Sequence, residues 1–213
     1  MHLTKKQTIE ILSNYSKEKW NLNDLLELVP NSFYIDGLFV KVKRDKVYRE
    51  ECFYIILGVK EDCSREILAI VNQPTESATA WEGIFDDLKA RGVSSIGLVV
   101  SDSLSGIEKA VRKKFNGAHQ LCTVHLQRNF MSRVRKEDKK EIAGDLSYVF
   151  SPDDKNHTID NALNRFENMK KKWKGKYPSL KRYLDNFDIP PYLTFLEFDF
   201  RIRRMIYTTN WIE

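Results

Sequence analysis

Residues 96–102, IGLVVSD, form a run that stays apolar until Ser101 and Asp102. Apolar positions without alternation suit a strand covered on both faces, as an inner strand between two layers of helix is. The chain then turns through Ser103, Leu104 and Ser105 into IEKAVRKKF. There Ile107, Ala110, Val111 and Phe115 recur at helical spacing, and Asn116-Gly117 supplies a stop. Ser105 and Glu108 match a capping box at the helix entry. A strand feeding a helix in this way points to an α/β architecture and leaves one carboxylate, Asp102, at the tip of a buried strand.

Upstream, FYIDGLFVKVK (33–43) alternates, with Tyr34, Asp36, Leu38, Val40 and Val42 on one side. CFYIILGVK (52–60) and EILAIVNQ (66–73) read as second and third strands of an antiparallel meander. A helix is expected from a Thr79–Glu82 capping box, with Trp81, Ile84, Phe85 and Leu88 inward and Gly92 as its stop. HQLCTV (119–124) is expected as a fifth strand, and residues 7–29 as short helical pieces ending at Pro30. From about 125 onward the pattern is helical. Leu126, Phe130 and Val134 make one stripe, while Ile159, Leu163, Phe166 and Trp173 make another. The expected fold is a mixed sheet flanked by helices, with α-helical material added late.

Apolar residues make up 42% of the 213-residue chain, enough for a sizeable core. No run approaches the roughly 20 apolar residues of a membrane helix, and the N-terminus is too polar for a signal peptide. Three cysteines, Cys52, Cys63 and Cys122, fit reduced thiols and a cytoplasmic setting better than a disulfide framework. The net charge of +5 is unevenly spread: residues 1–125 hold 17 basic and 17 acidic residues, residues 126–213 hold 18 and 13. Within 165–182, eight basic residues stand against Glu167 alone. Such a block can neutralise phosphates or can be a solvated helix face.

Asp36 lies on the apolar-facing side of the first strand, where a charge is costly unless paired or bound to a cation. Ligand-binding residues of open α/β sheets gather at strand ends. If the first and fourth strands are neighbours, Asp36 and Asp102 converge, and oxygen ligands with open positions suit Mg²⁺ or Mn²⁺. The residues alone equally allow Asp102 to start a turn and Asp36-Gly37 to mark a bulge.

Three segments carry a resemblance: YIDGLFVKVK, VVSDSLSGIEKAVRKKFNGAHQLCTVHLQRN and IYTTNWIE. Together they resemble the Mutator-superfamily transposases of bacterial insertion sequences, over about residues 31–213. Asp102, Gly106, Gln120, Cys122, His125, Arg128 and Asn129 fall at the family's spacing. The resemblance implies a ribonuclease H-like catalytic core at 31–130, preceded by a helical segment at 1–30. A helical insertion at 131–205 and the start of a helix carrying the third acid at 206–213 would follow. It implies an Asp-Asp-Glu set, Asp36, Asp102 and Glu213, holding Mg²⁺ or Mn²⁺ for DNA cleavage and strand transfer. The expected partners are the element's terminal inverted repeats, target DNA and further copies of the chain, in the bacterial cytoplasm at the nucleoid and with no membrane involved.

Cys122 and His125 match the family's Cys-x-x-His signature. With no further ligand pair at zinc-site spacing, a structural or DNA-contacting role is favoured over zinc. Arg128, Asn129, Lys170, Lys171, Lys172 and Lys174 are candidate DNA contacts. Trp173 could stack on an unpaired base, but it lies in phase with Ile159, Leu163 and Phe166, which favours core packing. Family members carry an N-terminal DNA-binding region and continue past the third acid. About 30 residues before the core and a chain ending on Glu213 are therefore expected of a shortened transposase. A catalytically inactive DNA-binding remnant and another ribonuclease H-like DNA nuclease are the alternatives.

Overall fold

The computed structural model describes residues 31–60, 64–72 and 77–209. The expected N-terminal helical pieces, Cys63 and Glu213 lie outside these residues. The chain divides into two units, one containing the described residues up to His119 together with Thr209, the other Gln120–Thr208. The first is α/β. Its strands are β1 (Ser32–Arg44), β2 (Val47–Val59), β3 (Arg65–Asn72) and β4 (Leu98–Ser101), and the chain leaves it within β5 (Ala118–Leu121). The sheet order is β3-β2-β1-β4-β5. β1 pairs antiparallel with β2 and parallel with β4, so the sheet is mixed, as the sequence led us to expect.

All four residues of β4 are buried, which explains their lack of alternation. Phe33, Ile35 and Val99 face α1 (Ala78–Ala90) and α2 (Ile107–Phe115) in one core with Tyr54, Ile56, Trp81, Phe85, Leu88 and Val111. Aromatic edges organise this core: Tyr54 meets Trp81 at 5.1 Å and Phe85 meets Phe115 at 5.4 Å between ring centroids. Residues of the opposite phase, Tyr34, Leu98 and Val100, are buried too.

Both expected capping boxes are replaced by other devices. The Oγ of Ser77 caps α1 by accepting from the Ala80 N–H at 3.2 Å, and Glu82 binds Lys113 instead, at 2.6 Å. The N-cap position of α2 is taken by Gly106, at φ 78°, instead of the expected Ser105. A Cβ at Gly106 would lie 2.3 Å from the amide nitrogen of Ala78, so close approach of the two helix entries requires glycine there. The expected stop at Asn116 is present, in the left-handed conformation at φ 53°.

β1 matches its expected span to within a residue at each end, but β2 begins at Val47, five residues before the expected Cys52. Beyond Leu38 they leave the rest of the sheet as a hairpin, turning at Asp45 (φ 49°) and Lys46 (φ 66°). Two successive positive φ values suit a two-residue turn matched to the twist of the strands. Leu38 and Val40, expected on a covered face, are 54% and 38% exposed because β4 stops pairing with β1 at Ile35 and β3 stops pairing with β2 opposite Leu38.

The second unit is helical after β5. It comprises α3 (Thr123–Met131), α4 (Lys139–Phe150), α5 (Ile159–Lys176), α6 (Pro178–Asp185) and α7 (Phe200–Ile206). The fifth strand is shorter than expected because Cys122 already caps α3. Thr123 secures that entry: its N–H and its hydroxyl both donate to the Tyr207 carbonyl, at 3.1 and 3.0 Å. The α5 stripe is Ala162, Phe166, Met169 and Trp173, rotated from the expected one. Trp173 is fully buried and its indole N–H donates to Asp145 at 2.7 Å, which makes it a core residue. No helix of the described residues is long and apolar enough to cross a membrane.

Candidate functional site

β1 and β4 are parallel neighbours with Ile35 opposite Ser101 as their last matched pair. Asp36 is the next residue of β1, and Asp102 is the first residue after β4. Adjacent strands lie roughly 4.8 Å apart, so the two carboxylates leave the sheet at neighbouring positions, Asp36 within β1 and Asp102 in the turn that follows β4. Both aspartates are partly buried.

Each is held by local geometry. Asp36 Oδ1 accepts the N–H of Gly37 at 3.0 Å. The carbonyl of Asp102 accepts two bonds, from the Ser101 hydroxyl at 2.8 Å and from the Leu104 N–H at 2.7 Å. That pair of bonds locks the strand-to-helix turn that presents the carboxylate. Ser101 in turn lies 2.9 Å from Nε2 of His119, on the adjoining strand. Because the Ser101 hydroxyl donates to Asp102, it accepts from His119, which places the ring proton on Nε2. Burial pushes His119 down to about pKa 4, with Glu108 opposing the shift and Arg112 adding to it, so the ring is neutral at pH 7. Neither Ser101 nor His119 stood out as functional in the sequence, since only the strand pairing brings them to Asp102.

The remaining candidates are in the second unit. Cys122 is buried, its Sγ 3.8 Å from the Thr208 hydroxyl, and His125 sits one turn along α3 with a ring nitrogen within 4.8 Å of that sulfur. Gln120, fully buried, uses both ends of its amide: Nε2 donates to the Tyr192 carbonyl at 3.0 Å and Oε1 accepts from the Phe195 N–H at 2.7 Å. Its place in the motif is thereby explained by packing. Arg128 and Asn129 are exposed near the end of α3. The lysines of α5 are largely compensated within the unit. Lys170 pairs with Glu167 (2.7 Å), Lys172 with Asp145 and Glu141 (2.6 and 2.8 Å), and Lys174 with Asp185 (2.5 Å). Lys171 is exposed.

The family model described as "Transposase, Mutator family" matches residues 5–213. The transposase for insertion sequence element IS1201 of Lactobacillus helveticus is 31% identical over 209 residues, 98% of this chain and 53% of the relative. The transposase for IS905 of Lactococcus lactis is 29% identical over 189 residues, 88% of this chain and 46% of the relative. The transposase for IS256 in transposon Tn4001 of Staphylococcus aureus is 33% identical over 116 residues, 54% of this chain and 30% of the relative. The chain spans about half the length of the first two relatives. With the family model covering all but its first four residues, the chain belongs to the Mutator family of transposases.

Proposed function

We propose that the chain carries the catalytic carboxylates of an insertion-sequence transposase of the Asp-Asp-Glu class, on a ribonuclease H-like core with a helical insertion. The observation that carries this reading is that Asp36 and Asp102 each directly follow one member of the Ile35–Ser101 pair, at which the parallel pairing of β1 with β4 ends. Two carboxylates offer hard oxygen donors and leave coordination positions open, a donor set that fits Mg²⁺ or Mn²⁺. Asp36, Asp102 and Glu213 would hold the metal, which when bound polarises the scissile phosphate and its attacking oxygen.

The reaction is two phosphoryl transfers on DNA. A water oxygen attacks phosphorus at an element end and the bond to the 3′ oxygen breaks, leaving a 3′-hydroxyl and a 5′-phosphate. The 3′-hydroxyl then attacks a phosphorus of target DNA and is joined to it, while the bond from that phosphorus to the target's 3′ oxygen breaks and leaves a 3′-hydroxyl on the target strand. The protein's part is positioning: the Ser101 and Leu104 bonds to the Asp102 carbonyl fix one carboxylate, and the Gly37 amide orients the other. The exposed Lys171, Arg128 and Asn129 would meet phosphates, with Lys170, Lys172 and Lys174, each paired with an acid, in a secondary part. Terminal repeats, target DNA and further copies of the chain are the proposed partners, in the cytoplasm at the nucleoid.

Mn²⁺ titration by calorimetry on the wild type, Asp36→Asn and Asp102→Asn tests the reading. Saturable binding in the wild type that either substitution abolishes is the expected result. Equal binding by all three proteins would refute a shared carboxylate site.

A further inference from the structure

The outer half of the β1–β2 hairpin is a two-stranded ribbon standing clear of the sheet. Pairing of β1 with β4 ends at Ile35, and pairing of β2 with β3 begins at Phe53. Six further matched pairs, from Phe39–Cys52 to Arg44–Val47, have no third strand among the described residues. At roughly 3.4 Å per residue the ribbon is about 20 Å long. An isolated two-stranded ribbon is at best marginally stable in water, so this one is a costly element to keep unless something binds it. Phe39 and Tyr48 are each 68% exposed, and Val47 is 54% exposed.

Charge identifies the partner. Residues 41–49, KVKRDKVYR, hold five basic residues, Lys41, Lys43, Arg44, Lys46 and Arg49, against Asp45. The acids Glu50 and Glu51 lie at the base of the ribbon, opposite Lys41 and Val40. The base is therefore balanced while the tip is strongly cationic. The Lys43 ammonium lies 5.7 Å over the Tyr48 ring, which leaves an aromatic face and a cation together at the tip. A second copy of the chain docking tip to tip would bring like charges together, whereas a polyanion would neutralise them. A major groove about 12 Å wide admits a two-stranded ribbon.

We infer that this ribbon grips the phosphate backbone of duplex DNA beside the Asp36–Asp102 site. The inference rests on the DNA-acting function proposed above and adds a contact surface to it. β1 is one continuous strand from Asp36 to Lys43, so the tip reaches about 24 Å from the carboxylate, roughly seven base steps along a duplex. The ribbon thus sets the path of the DNA flanking the scissile phosphate.

Fluorescence anisotropy with a duplex of about 30 base pairs, at salt from about 50 to 200 mM, tests this. The variants are Lys43→Ala/Lys46→Gly/Arg49→Ala and Phe39→Ser/Tyr48→Ser. Removing three phosphate contacts should weaken binding at least about tenfold and lower the slope of log K against log salt by about 2 to 3. The single variant Lys46→Gly guards against misfolding: it relieves a positive φ, so it should melt no lower than wild type while its salt slope falls by about 1. An unchanged slope in both basic variants would overturn the ribbon assignment alone. So would a changed sedimentation coefficient in Phe39→Ser/Tyr48→Ser with DNA affinity intact, which would make the ribbon a contact between copies. A wild type that binds no duplex would refute the DNA-acting function and, with it, this inference.

Discussion

Asp36 and Asp102, 66 positions apart in the chain, each directly follow one member of the Ile35–Ser101 pair, the last matched pair of two parallel strands. This relationship predicts strict non-additivity. Groups acting as one site fail together, so Asp36→Asn/Asp102→Asn should lose no more Mn²⁺ affinity or cleavage rate than either single variant. Losses that multiply in the double variant would place the two carboxylates in separate sites.

Gly106 offers a second test, because its conformation and its surroundings both exclude a side chain. Gly106→Ala puts a Cβ at φ 78° and against the Ala78 amide. A cost of at least about 2 kcal/mol is expected, from backbone strain plus a clash with main chain that has little room to move. Urea unfolding of the variant measures it directly. A change under about 0.5 kcal/mol, the usual range for a surface substitution, would mean that the α1 and α2 entries are not tightly apposed.

The lysines of α5 should separate into two classes. Lys172 bridges Glu141 and Asp145, and the two acids raise its pKa through hydrogen bonds, whereas Lys171 is exposed. Lys172→Ala is expected to cost up to about 1 kcal/mol of stability, because surface pairs are worth little. Lys171→Ala should leave the melting temperature unchanged and weaken duplex binding about twofold to fivefold, the scale of one phosphate contact. Thermal melts beside anisotropy distinguish them, and equal effects of the two variants on both readouts would contradict the division.

How far these features could be read from sequence depends on where their determinants lie. The β4 run was legible because burial on both faces leaves an unalternating pattern, and the order of strands and helices along the chain followed from the switches of hydrophobic period. The neighbourhood of β1 and β4 was not, since nothing local records which strands pair. The hairpin was misread for a physical reason. Leu38, Val40 and Val42 continue the alternation of a half-buried strand, and only the missing third strand shows that they lead into a cationic ribbon. Averaging charge over residues 1–125 hid that ribbon as well. The capping boxes at Thr79–Glu82 and Ser105–Glu108 failed because neighbouring packing selected Ser77 and Gly106. The apparent lysine block lost most of its free charge to acids on other helices, among them Glu141, Asp145 and Asp185.

His119 gives the fold a dependence on pH whose sign follows from burial. Its pKa falls from 6.5 to about 4 in the folded chain, so the unfolded chain binds the proton first. Stability is therefore complete above about pH 6.5 and declines as pH falls towards 4, by at most about 3 kcal/mol. Burial also lowers the pKa of His157, whose Nε2 lies 2.7 Å from the Val149 carbonyl, so two histidines contribute in the same direction. His119→Gln retains a donor for Ser101 and cannot titrate. Urea unfolding of both proteins at about pH 7 and about pH 4.5 should show the variant losing less stability on acidification, with His157 and the carboxylates supplying what remains. Identical losses would mean that His119 is hydrated and free to take its proton in the folded protein, which would also break the hydrogen-bonded chain that runs through Ser101 to Asp102.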